Sequence, residues 1–199
     1  MSSRLSSQEA RAILDRAVQS VTGGSLPGLS MDLIQGVARF ETGYGGKWDA
    51  TGCPGADTSN NWGAVKNASG KWATLAEAQC DPSKSFACQD RDSTGKVWWY
   101  CFRRYATPED GAAHTVSVLW KNPFVRAYLL SGEGGVPEMA AAMKQGGYFE
   151  ATIEAYTKGL APNVSAIRSD LGSRSMVGPA LVAGGAGLAG LLLGWRFLR

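Results

Sequence analysis

Apolar residues at Ile13, Leu14, Ala17, Val18 and Val21 recur every three to four positions, the period of an amphipathic helix, and Gly23-Gly24 interrupts it. Ser6 followed by Glu9 has the spacing of a capping box, so this helix is predicted to open there. A second stripe runs through Leu33, Ile34, Val37, Ala38 and Phe40, with Ser30 as its predicted cap and Gly43 as its end. Between residues 44 and 105 the helical period vanishes, and Gly, Asn, Asp, Ser and Cys alternate with aromatics, the pattern of loops and a short sheet. Its best strand spans 96–103, where Val97, Trp98, Trp99, Tyr100 and Phe102 follow the turn Asp92-Ser-Thr-Gly95. Helices resume with Thr107 as cap and Pro108 at the first helical position. Val116, Leu119, Phe124, Tyr128 and Leu129 supply apolar faces, as do the segments 137–144, 149–160 and 164–171. The expected fold class is mainly α (α+β): a helical domain over 1–171 with a small β-lobe at about 44–105.

The end of the chain follows another pattern. Residues 177–195 contain no charge, and as a helix they would extend roughly 28 Å, enough to cross a hydrocarbon core. Arg174 and Arg196 bracket them. The expected organisation is therefore a linker at 172–176, a transmembrane helix at 177–195 and a basic end at 196–199. Ala183 with Gly187, and Ala186 with Gly190 and Gly194, form a small-residue stripe suited to self-association through the span.

The formal net charge of +3 changes the picture only by its location. From residue 165 onward there are four basic residues and one acidic, while the preceding residues carry equal numbers of each. The body of the chain thus has no basic excess to release counterions, and nucleic acid is excluded as a partner. The four cysteines, Cys53, Cys80, Cys88 and Cys101, lack a C-x-x-C pair, and the chain has one histidine, so no metal site is expected. Two disulfides are favoured over four buried thiols, because a short polar lobe with little core gains most from covalent staples. The N-terminus has no apolar run of the kind a cleaved secretory signal requires.

The chemistry centres on Glu41, in the last turn of the second helix. The negative end of the helix dipole disfavours its ionisation, and Phe40 and Tyr44 beside it would desolvate it further. A carboxyl whose pKa is raised in this way suits a general acid that protonates a glycosidic oxygen.

Three segments occur in order: Glu41-Thr-Gly-Tyr-Gly45, then Thr58-Ser-Asn-Asn-Trp-Gly-Ala-Val-Lys66, then Phe102-Arg-Arg-Tyr-Ala-Thr-Pro-Glu-Asp110. As a set they resemble glycoside hydrolase family 73, the glucosaminidases that include flagellar peptidoglycan hydrolases, autolysins and phage lysins. Gly146-Gly-Tyr148 and Tyr156 look like that family's Gly-Tyr and downstream Tyr, and the resemblance spans roughly 32–171. Gly63 comes one position earlier than the family's glycine. The resemblance implies a lysozyme-like fold, Glu41 as general acid, and Asn60, Asn61 and Gly63 as a loop floor beneath the sugar. It also implies Tyr148 as a catalytic-cleft tyrosine and Tyr44, Tyr105 and Tyr156 as substrate-binding residues.

The family's second carboxylate lies on a Thr-x-Glu strand, and none precedes Phe102 here. Asp90 is the favoured candidate, with Asp92 and Glu77 as alternatives. Five of the seven tryptophans, Trp48, Trp62, Trp72, Trp98 and Trp99, fall in the lobe region, and Trp62, inside the Asn-Asn segment, is the one expected to stack on a sugar. His114 reads as a packing or surface residue.

The expected function is a peptidoglycan hydrolase, an endo-β-N-acetylglucosaminidase with no metal or organic cofactor. Its expected partners are the glycan strands of the wall and, through the tail, a lipid membrane. Two locations remain open: the membrane of a phage virion, which is favoured, or a bacterial inner membrane with the catalytic domain reaching the periplasm. A lytic transglycosylase or muramidase on the same fold, and a non-catalytic anchored wall-binding protein, are the alternatives.

Overall fold

The computed structural model describes residues 5–44, 53, 59–67, 70–92 and 94–175. Helix α1 (Ser7–Thr22) opens on the expected capping box, in which the Ser6 hydroxyl accepts from Glu9 N–H and the Glu9 carboxylate accepts from Ser6 N–H. It ends on Gly23 in the left-handed region. Helix α2 (Gly28–Thr42) begins earlier than predicted. Ser30 does not cap it: the hydroxyl is buried and donates to the Leu129 carbonyl at 2.8 Å, because a tertiary acceptor lies within its reach. Leu33, Ile34, Val37 and Ala38 are wholly buried, which makes α2 the spine of the helical core.

The β-lobe is an antiparallel pair, β1 (Ser85–Arg91) and β2 (Val97–Arg103), with Phe86 opposite Phe102, Cys88 opposite Tyr100 and Asp90 opposite Trp98. Isolated bridges join Lys66 to Phe102 and Trp72 to Trp99, so Lys66 and Trp72 border the other edge of β2. Phe86, Cys88, Tyr100 and Phe102 share one face and form a second small core. The four cysteines form two disulfides, Cys53–Cys88 and Cys80–Cys101. Cys88 and Cys101 occupy opposite faces of the sheet, so Cys53 and Cys80 are tied to opposite sides of it.

Helices α3 (Pro108–Lys121), α4 (Pro123–Ser131), α5 (Val136–Gln145) and α6 (Ile153–Ser175) complete the domain. Thr107 caps α3 and Pro108 occupies its first turn, as predicted. The segments 149–160 and 164–171 are not two helices. They fall within α6 and the turn before it, with Pro162 inside the helix, and α6 runs to Ser175 through most of the expected linker at 172–176. One buried stripe, Tyr156, Leu160, Val164 and Ile167, continues across the proline and holds both halves against the core. Beside the proline, the Asn163 side chain donates to the Gly159 carbonyl at 2.9 Å.

Among the described residues, no helix is long and apolar enough to cross a membrane. The expected span at 177–195 and Trp48 lie outside the described residues.

Candidate active site

Glu41 sits where α2 ends against α6. The Tyr156 hydroxyl donates to its Oε1 at 2.6 Å. Phe40 meets the Tyr156 ring edge-on at 5.2 Å, and Phe149 stacks on it face to face at 3.8 Å. Burial pushes the Glu41 carboxyl up to about 7; the Tyr156 hydrogen bond pulls it the other way, and the negative charge of Asp90 adds to the rise. A carboxyl raised this far can still carry a proton near neutral pH. The expected desolvation of the carboxyl is present. Tyr44 turns inward at φ 64°, packs on Trp62 and accepts from the Gln35 amide at 3.2 Å.

Asp90 lies near the end of β1 in the lobe, and its Oδ2 is 3.0 Å from Lys66 Nζ. The two alternative carboxylates are committed elsewhere. Glu77 accepts from the Ala73 and Thr74 amides around the short 3-10 turn Leu75–Glu77. Asp92 organises the β1–β2 turn, accepting from Thr94, the Lys96 amide and Trp98 Nε1, and these bonds hold it well below the usual carboxylate range. Among the three candidates, Asp90 is the one whose charge raises Glu41.

Burial raises the Tyr100 phenol, and the charges of Asp90, Asp92 and Glu150 raise it further.

The loop 59–66, expected as the floor beneath the sugar, is fixed by its own side-chain bonds. Asn60, at φ 50°, donates to the Tyr105 and Ala106 carbonyls. Asn61 is wholly buried: its amide donates to the Val65 and Arg103 carbonyls, and its oxygen accepts from Val65 N–H. Asn61 therefore shapes the floor and has no atom left to present to a sugar. Trp62 corrects an expectation more sharply. It is 0% exposed and packs on Tyr44 in the core, so it cannot stack on a substrate. Gly63 lies where a side chain would not fit: a Cβ would come within 2.8 Å of Thr115 and 3.1 Å of the Tyr148 hydroxyl. That hydroxyl donates to the Gly63 carbonyl at 3.2 Å. Burial lifts the Tyr148 phenol well above its ordinary value, and the charges of Glu41 and Tyr105 raise it further. Tyr156, expected to bind substrate, is instead the partner of Glu41 and is 5% exposed.

Tyr105 is half-buried, and its hydroxyl lies 2.7 Å from His114 Nδ1. His114 is thus a partner of a site tyrosine, a role its isolated position on a helix did not disclose. Burial and the charges of Arg103 and Lys121 keep it below its ordinary pKa, which favours the neutral ring. Trp98 and Trp99 alternate across β2 as expected; Trp98 lies under Lys71 and Lys96, and Trp99 pairs with Trp72 through the backbone.

A peptidoglycan hydrolase mutant from Sphingomonas sp. A1 superposes with a TM-score of 0.57, at 22% identity over 82% of this chain and 95% of that one. The chain has the fold of that hydrolase. A second structure of the Sphingomonas peptidoglycan hydrolase gives a TM-score of 0.52 at 21% identity, covering 90% of this chain and 99% of that one. The catalytic domain of the autolysin Auto from Listeria monocytogenes gives 0.51 at 11% identity, covering 83% and 84%. No protein-family model and no curated protein sequence matches the chain.

Glu41, on the helical side, is a carboxyl raised to about 7, and Asp90, on the lobe, is a carboxylate whose charge contributes to that rise. That pairing can donate a proton to a leaving oxygen and accept one from an attacking water.

Proposed function

We propose that this protein is a peptidoglycan hydrolase that cleaves the β-1,4 glycan backbone as an endo-β-N-acetylglucosaminidase. The observation that carries the reading is the Glu41 carboxyl, buried against Tyr156 and poised to be protonated near neutral pH on the fold of known peptidoglycan hydrolases. Glu41 gives its proton to the glycosidic oxygen as the bond to the anomeric carbon breaks. Asp90 takes a proton from the water that attacks that carbon from the opposite face, and the product has inverted configuration. Tyr148 and Tyr105 border the reacting centre.

The test is mass spectrometry of fragments released from purified peptidoglycan by the wild-type chain and by Glu41→Gln. Reducing N-acetylglucosamine ends that disappear in the variant support the reading. Anhydro ends would make the protein a lytic transglycosylase, and reducing N-acetylmuramic acid ends a muramidase. Binding to sacculi without cleavage by either protein would make it a wall-binding module.

Residues 177–195 are proposed to anchor the hydrolase in a lipid membrane, with a phage virion membrane as the favoured setting. What supports this is the uncharged span alone. Release from membranes by alkaline carbonate would overturn the anchor, and absence from purified particles would overturn the virion setting.

A further inference from the structure

Lys66 closes the segment Asn60-Asn-Trp-Gly-Ala-Val-Lys66, and none of the roles described above uses it. Its backbone is held tightly. Lys66 bridges Phe102, with Asn67 N–H donating to the Cys101 carbonyl at 2.7 Å and Arg103 N–H donating to the Val65 carbonyl at 2.9 Å. The buried Asn61 amide clamps the same segment to β2 through Val65 and Arg103. In this register the Lys66 side chain shares the sheet face of Phe102, Tyr100, Cys88 and Asp90.

The ammonium lies 3.6 Å from the centre of the Tyr100 ring, 5.9 Å from that of Phe102 and 3.0 Å from Asp90 Oδ2. The other carboxylate oxygen, Oδ1, accepts from Arg91 N–H at 2.8 Å. Both oxygens of a half-exposed aspartate near a strand end therefore have fixed donors. An ordinary surface ion pair between two freely rotating side chains contributes little. Here one partner rests on two aromatic rings and emerges from a backbone pinned on both sides, so the ammonium stands in one place.

We propose that Lys66 is a positioning residue, holding the Asp90 carboxylate in the orientation from which it accepts a proton from the attacking water. This rests on the reading of Asp90 as the base. A carboxylate free to rotate would present its oxygens to the water only part of the time, and small misplacements of a catalytic group can cost two orders of magnitude.

A double-mutant cycle on the full-length chain tests it: Lys66→Met, Asp90→Asn and the double variant, each read as kcat and KM on purified peptidoglycan, with Lys66→Arg alongside. The expected result is a fall in kcat of about 10- to 100-fold for Lys66→Met with KM within about twofold, recovery of most of the loss in Lys66→Arg, and no further loss when Lys66→Met is added to Asp90→Asn. Should Lys66→Met fail to fold, Lys66→Gln, which keeps a polar tip without the charge, takes its place in the cycle. Equal losses from Lys66→Met with and without the Asp90 carboxylate would overturn the proposal, since the lysine would then act independently of it. An active Lys66→Met beside an inactive Asp90→Asn would also overturn it while leaving Asp90 as the base. A fully active Asp90→Asn would remove both, locating the failure in the assignment of the base.

Discussion

The Tyr156 hydroxyl and Glu41 Oε1, 115 residues apart in the chain, meet at 2.6 Å. This bond ties the acid to α6 and opposes part of the upward push of burial on the carboxyl. Because the phenol stabilises the ionised form, Tyr156→Phe should raise the Glu41 pKa further. The alkaline limb of the pH profile of kcat/KM should then move to higher pH, and initial rates across pH 5–9 on solubilised peptidoglycan would show it. An alkaline limb that stays in place would mean that the phenol does not set the acid.

Glu41→Gln should lower glycan cleavage by at least about a hundredfold, the scale of a lost general acid. It should also stabilise the fold at high pH. Below the carboxyl's ordinary pKa of 4.5 the wild-type group is neutral whether folded or unfolded, and burial costs it no charge. As pH rises toward 7 the unfolded chain ionises freely while the folded one resists, so stability is lost through that window and stays lost above it. The shift from 4.5 to about 7 corresponds to about 3 kcal/mol. Urea unfolding of both proteins at pH 4.5 and pH 8.5 should give similar values at the lower pH and a more stable variant at the higher.

Gly111 lets α3 approach the floor loop so closely that an added Cβ would lie 1.7 Å from the Asn60 carbonyl oxygen. Gly111→Ala should therefore push the loop off the helix, costing about 1–3 kcal/mol in stability. Activity should fall roughly tenfold or more, because the same loop carries Gly63 under Tyr148 and leads to Lys66. Thermal unfolding and turnover, measured together, check both.

The disulfides should matter to the lobe and little to the helical core. Replacing Cys80 and Cys101 by Ser together should cost roughly 3 kcal/mol, the loop-closure scale for cysteines 21 residues apart. Reduction should lower activity as well, since Cys88 lies two residues before Asp90 on β1. Calorimetry and turnover with and without dithiothreitol would show it; unchanged values would mean that strand pairing alone holds the lobe.

The sequence by itself determined whatever depends on neighbours along the chain. The capping box at Ser6, the stop at Gly43, the Thr107-Pro108 start and the strand through Trp98 and Tyr100 are local signals, and the structure follows each of them. Glu41 was legible for the same reason, since its place in the last turn of an apolar-striped helix already implies an unfavourable setting for charge. Tertiary structure decided the rest. Strand β1, Ser-Phe-Ala-Cys-Gln-Asp-Arg, has little alternation of its own and becomes a strand by pairing with β2. The segments 149–160 and 164–171 read as separate, yet a buried stripe running across Pro162 keeps α6 whole. Trp62 and Asn61 looked like surface chemistry, and burial turned them into scaffold. Lys66 at Asp90, Tyr156 at Glu41 and His114 at Tyr105 bring together residues distant or unmarked in sequence, because side chains meet where packing of the helices and the lobe places them, and no local period encodes that.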